Sequence, residues 1–420
     1  MDYKLTRCQQ AGLDSLLESR ENIFITGGPG TGKSYLINEF LNLESHKIPV
    51  VASTGAAAIL VGGRTFHSFF NLGIMQGSVE QVIDRALQNP RLIRRLNDVN
   101  AVVVDEVSML SWQTLDCAEK IARAARKFDA PWGGMRMIVV GDFAQLPPIS
   151  RGMDREKEKT GRDWCFLGEA WAGARFKTIS LQEVKRTDDV EFLQVLEEIR
   201  WGKRTDRVED FLNSRVIEPH EVEVDTPHVF PRRAQTEAFN KAKLADLPNP
   251  LRIFETEYDG DKRYIERLKT DAPIPPVLEL KKGALVMLRV NDSKRRYVNG
   301  SLGIISHIEE EVLQVEAEGQ ILDIEPYYFV MLDADGDEVA YAKNFPLTLA
   351  YANTIHKMQG TTLDRIHVSL RALWEPGQAY VALSRARSGA GVTLAGWDAS
   401  SIKADPQVRE FYQGQAALAQ

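Results

Sequence analysis

Cysteine is nearly missing: Cys8, Cys117 and Cys165 stand far apart in 420 residues and form no Cys-x-x-Cys pair. That excludes a disulfide framework, leaves no spacing for a structural zinc site, and reads as three small buried or half-buried thiols. No apolar run approaches the ~18 residues that a membrane span needs. Met1-Asp2-Tyr3 opens neither a basic leader nor an Arg/Ser-rich presequence, so a cytosolic protein is expected. A basic excess is also lacking. With 52 Lys and Arg against 59 Asp and Glu the net charge is −7, which argues against a nonspecific cationic coat for nucleic acid; any polynucleotide must lie in a local groove. His46, His220, His228, His307 and His367 follow no metal-ligand spacing. What remains is ordinary for a soluble chain, 44% apolar and 26% charged, and the length suggests two or three domains.

The informative residues centre on Gly27-Gly28-Pro29-Gly30-Thr31-Gly32-Lys33-Ser34, which meets G-x-x-x-x-G-K-[ST] at every fixed position. Ile23-Phe24-Ile25 before it suits a buried parallel strand. Tyr35-Leu36-Ile37 with Phe40-Leu41 after it repeats at helical spacing. Between strand and helix, glycines let the backbone turn tightly and aim successive N–H groups inward, while the helix N-terminus adds partial positive charge for a β-phosphate. Lys33 would bridge the β- and γ-phosphates, and Ser34 would offer its hydroxyl to Mg²⁺. The alternative, a Gly-rich turn that binds nothing, has both flanks against it.

Thr6 is placed to cap a helix with Leu13, Leu16 and Leu17 on one face, and Gln9 suits adenine reading or simple solvation. Ile48 to Ala52 predicts a second strand, running into Ser53-Thr54-Gly55-Ala56-Ala57-Ala58 and then Gly62-Gly63-Arg64-Thr65-Phe66-His67-Ser68-Phe69-Phe70. Those small residues with Thr, His and Phe suit phosphate contact and base stacking, or equally a tight turn with core aromatics. Residues 71–100 are too many for a simple loop and predict an insertion carrying helices. Val102-Val103-Val104-Asp105-Glu106 is an apolar strand ending in two carboxylates: Asp105 to hold Mg²⁺ through its water shell, Glu106 to orient and deprotonate an attacking water. Met137 to Val140 is another strand, closed by Gly141-Asp142-Phe143-Ala144-Gln145-Leu146-Pro147-Pro148. The prolines fix that loop, which suits Gln145 for a place near a γ-phosphate or leaves it a polar residue in a rigid turn.

Strands alternating with helices through residue 183 describe one doubly wound parallel-sheet domain with ligand groups at the carboxyl ends of its strands. A second region follows, with a helix at Phe192 to Trp201, a strand at His228 to Phe230 and a helix opened by Arg232-Arg233. Val277 to Phe345 turns alternating, β-branched and Gly-punctuated, which predicts a small inserted barrel. Lys294-Arg295-Arg296-Tyr297 at its entrance is a basic–aromatic cluster or a solvated hairpin tip. The α/β pattern resumes with Leu347 to Tyr351, then Thr354-Ile355-His356-Lys357-Met358-Gln359-Gly360, and Tyr380 to Arg387 predicts a short helix presenting two arginines. A guanidinium fork suits developing phosphate charge, although both arginines also fit an ordinary surface.

The ordered set Leu5-Thr6-x-x-Gln9, GGPGTGKS, STGAAA…GGRTFHSFF, VVVDEVSM, GDFAQLPP, Lys185-Arg186, TIHKMQGTTLD and YVALSRAR resembles the petite-integration-frequency DNA helicases of the RecD-like branch of superfamily 1, over nearly the whole chain. The resemblance implies an α/β fold with two RecA-like doubly wound motor domains: residues 1–183, carrying a small wedge insertion at 71–100, and residues 184–296 with 346–420, interrupted by a Src-homology-three-like barrel at 297–345. It implies ATP-driven 5′→3′ movement on single-stranded DNA, with ATP and Mg²⁺ as cofactors. The implied partners are single-stranded DNA and single/double-strand junctions, with G-quadruplex DNA a further one; no membrane and a monomer are expected. Carried over by position, Gln9 would read adenine; Gly28, Gly30, Thr31, Gly32, Lys33, Ser34 and Gly360 would line the nucleotide; Ser34 and Asp105 would hold the metal, Glu106 the water and Gln145 the γ-phosphate. Arg186 and Arg385 would act as arginine fingers from the second motor domain, so that ATP binding closes a cleft and hydrolysis reopens it. Thr54, His67, Phe69, His356 and Lys357 would face DNA. Lys185 and Thr187 depart from the family's usual aromatic or apolar residue and glutamine, which leaves the arginine role intact but argues against its neighbour stacking on the nucleotide. The short N-terminal region looks like that of a compact bacterial or phage-type motor.

Overall fold

The computed structural model describes residues 5–418 apart from 45, 61–63, 74, 76–77, 149–161, 185–186, 293, 295, 318 and 334. Two compact units divide it. The first comprises residues 1–186, 332–338 and 406–420, the second residues 187–331 and 339–405.

In the first unit short apolar runs, each followed by a helix, have one way to satisfy their backbone: side by side, parallel, with helices over both faces. The strands are β1 (Ile23–Gly27), β2 (Val50–Ala52), β3 (Arg64–Thr65), β4 (Ala101–Asp105), β5 (Arg136–Val140) and β6 (Lys177–Leu181), in the spatial order β3-β2-β4-β5-β1-β6. Every pairing is parallel, with Ile25 opposite Val140, Val104 opposite Val139 and Ala52 opposite Asp105. All of β1 is buried. Helices α1 (Arg7–Glu18) and α2 (Lys33–Leu43) cover it with Leu13, Leu16, Leu36, Ile37 and Phe40. The helix α3 (Gly55–Leu60) and the single turn α4 (Phe66–Phe69) follow β2 and β3. The expected insertion carries two amphipathic helices, α5 (Val79–Leu87) and α6 (Pro90–Asp98), which pack on α7 (Trp112–Arg126). Pro406–Leu418 is a helix of this unit, so the stretch 346–420, expected to stay together, breaks at 405. The reason is aromatic: the Phe411 ring lies 4.3 Å from Phe166, 5.4 Å from Phe143 and 6.1 Å from Phe24.

The second unit contains a parallel sheet in the order Ala352–Thr354, His228–Phe230, Ile366–Leu370, Val392–Trp397. Beside it in sequence is a five-stranded antiparallel sheet ordered Gln320–Ile324, Leu313–Ala317, Leu302–Ile308, Leu285–Leu288, Leu347–Leu349. Alternation buries one face of it, with Val286, Leu288, Ile305, Leu313, Val315, Leu322, Ile324 and Leu347 in one cluster. This sheet takes strands from both sides of the expected 297–345 insertion. Leu347–Leu349, expected to resume the α/β pattern, pairs antiparallel with Leu285–Leu288 instead, and the parallel sheet restarts at Ala352. Arg296 at its entrance is held by Asp292 through Nε and Nη2 at 3.0 and 2.9 Å, while Arg295 lies outside the described residues.

Candidate nucleotide and DNA sites

Because β1, β5 and β4 are neighbours running the same way, the loops after them open on one edge of the sheet. The loop after β1 needs its glycines: Gly30 and Gly32 have φ of 78° and 79°, and a Cβ on Gly32 would strike Gln9 Nε2. Gln9 is 2% exposed. Its Nε2 donates to Thr31 O at 2.9 Å and its Oε1 accepts from Thr6 N at 2.9 Å, completing a capping box on α1. One amide hydrogen and one lone pair remain for any further partner. Thr31, 1% exposed, donates to Gly28 O at 2.8 Å, and Lys33 Nζ donates to Gly27 O at 2.8 Å and Gly28 O at 3.2 Å. Ser34 is exposed in the first turn of α2.

At the end of β4 the Asp105 carboxyl is pushed up by burial, against the opposing effects of the Glu106 N–H and of Lys33, so lysine and carboxylate belong to one site. Glu106 N donates to Asp105 Oδ1 at 2.9 Å, and Glu106 itself is left-handed at φ 52°, ψ 44°. A non-glycine residue held there is strained, as residues at functional sites often are. After β5, Gln145 is 6% exposed; its Nε2 lies 3.3 Å from Asp142 Oδ2 and its N donates to Asp142 O at 3.0 Å. Sequence reasoning gave Asp142 no role and missed Tyr412. The Tyr412 hydroxyl lies 2.8 Å from Thr26 Oγ1, accepts from Phe143 N at 3.1 Å and donates to Asp142 Oδ1 at 3.4 Å. Only a tyrosine in an otherwise unremarkable C-terminal helix signals this, with no spacing to link it to β5.

The donor set fits a magnesium nucleotide: a lysine on loop carbonyls, a hydroxyl at the helix start and a carboxylate one strand beyond β5. Among the described residues no cluster of three or more His, Cys, Asp or Glu forms a metal centre by itself, and a phosphate-bound Mg²⁺ needs only one or two protein ligands.

Thr54 is half-buried, its Oγ1 accepting from Ala57 N at 3.2 Å at the start of α3, and His67 is half-buried in α4. Phe69 requires a correction. It has 0% exposure, lies between the guanidinium groups of Arg64 and Arg95 at 5.7 and 5.5 Å, and offers no stacking face for a base. Arg95, 8% exposed, donates twice to Phe69 O at 3.2 and 2.8 Å and once to Asp335 at 2.5 Å.

In the second unit His356 and Lys357 are exposed, yet the protein around them lowers both pKa values: His356 by desolvation, Lys357 by desolvation and then by Arg233 and Arg289. Gly360, at φ 82°, has open space where a side chain would be. Arg385 is 1% exposed and its guanidinium donates to Val381 O, Met358 O, Thr361 O and Ser384 Oγ at 2.8 to 3.3 Å, which ties the 358–361 turn to the helix Gln378–Leu383. Arg387 instead pairs with Asp364 at 2.8 Å on the surface. Arg186 lies outside the described residues.

A phosphate-binding loop, two carboxylates on β4 and a polar loop on β5, arranged along one edge of a parallel sheet, place the chain among the P-loop nucleoside triphosphatases. Residues 5–210 match the family described as PIF1-like helicase. An ATP-dependent DNA helicase Pif1 of Bdellovibrio bacteriovorus is 47% identical over 96% of this chain and 91% of its own length. The human ATP-dependent DNA helicase PIF1 is 34% identical over 97% of this chain and 63% of its own length. Among solved structures, a Bacteroides Pif1 in complex with ADP-AlF4 is 28% identical with a TM-score of 0.87, covering 99% of this chain and 98% of that one; a Bacteroides Pif1 bound to ssDNA scores 0.70 at 27% identity, covering 100% and 98%. The chain belongs to the PIF1-like helicase family, and its two parallel sheets are those of RecA-like domains.

Proposed function

We propose that the chain is an ATP-dependent DNA helicase that translocates 5′→3′ on single-stranded DNA and unwinds duplexes. The observation that carries this is the 47% identity, over 96% of the chain, to a bacterial protein named an ATP-dependent DNA helicase. The strand-end geometry supports it. Lys33 bridges the β- and γ-phosphates, the N–H groups of Gly28, Gly30 and Gly32 cradle them, and Gln9 reads adenine with its remaining donor and acceptor. Ser34 and Asp105 would hold Mg²⁺, which would neutralise phosphate charge. Glu106 orients and deprotonates water, and Gln145, steadied by Asp142, senses the γ-phosphate. Arg186 acts as an arginine of phosphoryl transfer and Gly360 adjoins the nucleotide; Arg385, bonded to four protein acceptors, joins them only by giving up those bonds when nucleotide binds. Thr54, His67, His356 and Lys357 contact the DNA strand, and Phe69, buried in the first unit, does not. Single-stranded DNA and junctions are the partners, with G-quadruplex DNA a further substrate, and the working form is a monomer in the cytoplasm. Among the described residues no helix is long and apolar enough to cross a membrane.

Strand displacement on 5′-tailed and 3′-tailed duplexes of DNA and of RNA tests the reading. Displacement of 5′-tailed DNA alone is expected. Displacement of RNA, or DNA-stimulated hydrolysis with no displacement at all, would replace it with an RNA motor or a nucleotide-gated binding switch.

A further inference from the structure

Arg289 has an environment that folding alone does not explain. It is 9% exposed, and among the described residues its Nε has no hydrogen-bond partner and Nη1 reaches only the thioether of Met287 at 3.2 Å. A buried guanidinium normally answers a carboxylate, since an unpaired one loses hydration without recovering it. Here burial alone pulls it down to about 10, with no carboxylate opposing. Such a group is stabilised by whatever anion the folded protein binds.

Its surroundings identify the anion. Arg289 follows the strand Leu285–Leu288; Leu288 O accepts from Gly300 N at 2.8 Å, and a Cβ on Gly300 would touch Thr361 at 3.3 Å, so Arg289 borders the turn that carries Lys357. Lys357 stands three residues beyond Thr354. Arg233 stands three residues beyond Phe230, and Thr354 and Phe230 are in register in parallel neighbours, so both cations leave the same end of the sheet. Arg233 begins a 14-residue helix whose N-cap, Arg232, makes no side-chain capping bond and whose first turn has no acidic residue, leaving N–H groups aimed outward. The nearby carboxylate, Glu237, is engaged by Arg233 Nε at 2.6 Å.

We propose that Arg289, Lys357 and the start of the Arg233–Asp246 helix form a seat for one phosphodiester group of the single strand, Arg289 being the positioning cation at its floor. The inference rests on the reading that Lys357 faces DNA and adds a residue that no helicase motif in the sequence points to. A phosphate there recovers the charge-assisted hydrogen bonds that Arg289 lacks.

The test compares Arg289→Met, Arg289→Lys and Lys357→Met. Anisotropy of labelled oligodeoxythymidylate, without nucleotide, gives the slope of log affinity against log salt, and thermal unfolding is followed in parallel. One lost phosphate contact on a single strand removes about 0.7 from the slope. Arg289→Met is expected to lose that much without a fall in Tm, because it removes an unpaired buried charge, and Arg289→Lys is expected to restore the slope. An unchanged slope in Arg289→Met beside a reduced one in Lys357→Met overturns the seat and leaves the Lys357 reading standing. Unchanged slopes in both overturn that reading too. If Arg289→Met lowers slope and Tm together, restoration by Arg289→Lys supports the seat, and a slope that stays low assigns Arg289 to the fold.

Discussion

Lys33 donates to its own loop carbonyls, so its charge sits where phosphate oxygens would lie, and no other side chain of the loop can replace it. Lys33→Ala is expected to cut ATP hydrolysis by orders of magnitude while single-strand binding without nucleotide survives; hydrolysis at the wild-type rate would refute the loop's assignment. Glu106→Gln keeps the size and shape of the residue but removes the base, so MgATP binding should persist with slow turnover. The left-handed backbone at Glu106 adds a second expectation. Glu106→Gly should be more stable than Glu106→Ala by about 1 kcal/mol in denaturant melts, although both are inactive, because only glycine adopts that conformation without cost. Equal stability would mean the strain is relieved in solution.

At the level of elements, the Tyr412 hydroxyl joins β1 to the loop that holds Gln145. Tyr412→Phe leaves the N–H of Phe143 without its partner, costing about 1–3 kcal/mol of stability, and is expected to lower kcat severalfold with little change in the KM for ATP. Loss of KM alone would place Tyr412 in the fold rather than behind Gln145. In the other unit, His228 opens a central strand with its ring 4.2 Å from Phe239 and 4.8 Å from His367, and burial, then His367 and Lys243, depress it to about 4. It is neutral in the fold and takes up a proton more readily once unfolded. Its stability contribution is therefore complete above the ordinary value near 6.5 and declines as pH falls toward 4, by on the order of 2 kcal/mol after allowing for partial exposure. His228→Gln should flatten the dependence of unfolding on pH in that window, and an unaltered dependence would contradict the assignment. Much of this architecture was legible beforehand: apolar runs ended by glycine at β1 and β5 and by the Asp105-Glu106 carboxylates at β4 located these strands, and the loops after them pointed to the expected nucleotide edge. Phe69 was misread because a motif names a residue type and not the direction of its side chain. Leu347–Leu349 was misplaced because three alternating residues suit either sheet. Arg289 and Tyr412 carry no local signal, since their meaning lies in what a distant segment brings to them.

Taken as a whole, an excess of seven negative charges limits how many phosphates the protein can meet at once. Five contacts on a single strand would give a salt slope of roughly −3.5, and a much steeper value would reveal a basic surface that the sequence does not display. The first unit, meanwhile, is assembled from three separated lengths of chain. Its strand β1 is made early, but the helix Pro406–Leu418 that brings Phe411 and Tyr412 to it is made after both other lengths. At ordinary elongation rates of ~5–20 residues per second, residue 406 leaves the ribosome some tens of seconds after residue 186. Throughout that interval the nascent chain presents Phe24, Phe143 and Phe166 without their covering ring, while the second unit is still being made. A ribosome stalled between these points would therefore display a nearly complete motor domain with an open aromatic flank, a form suited to chaperone capture and unable to hold Gln145 in place.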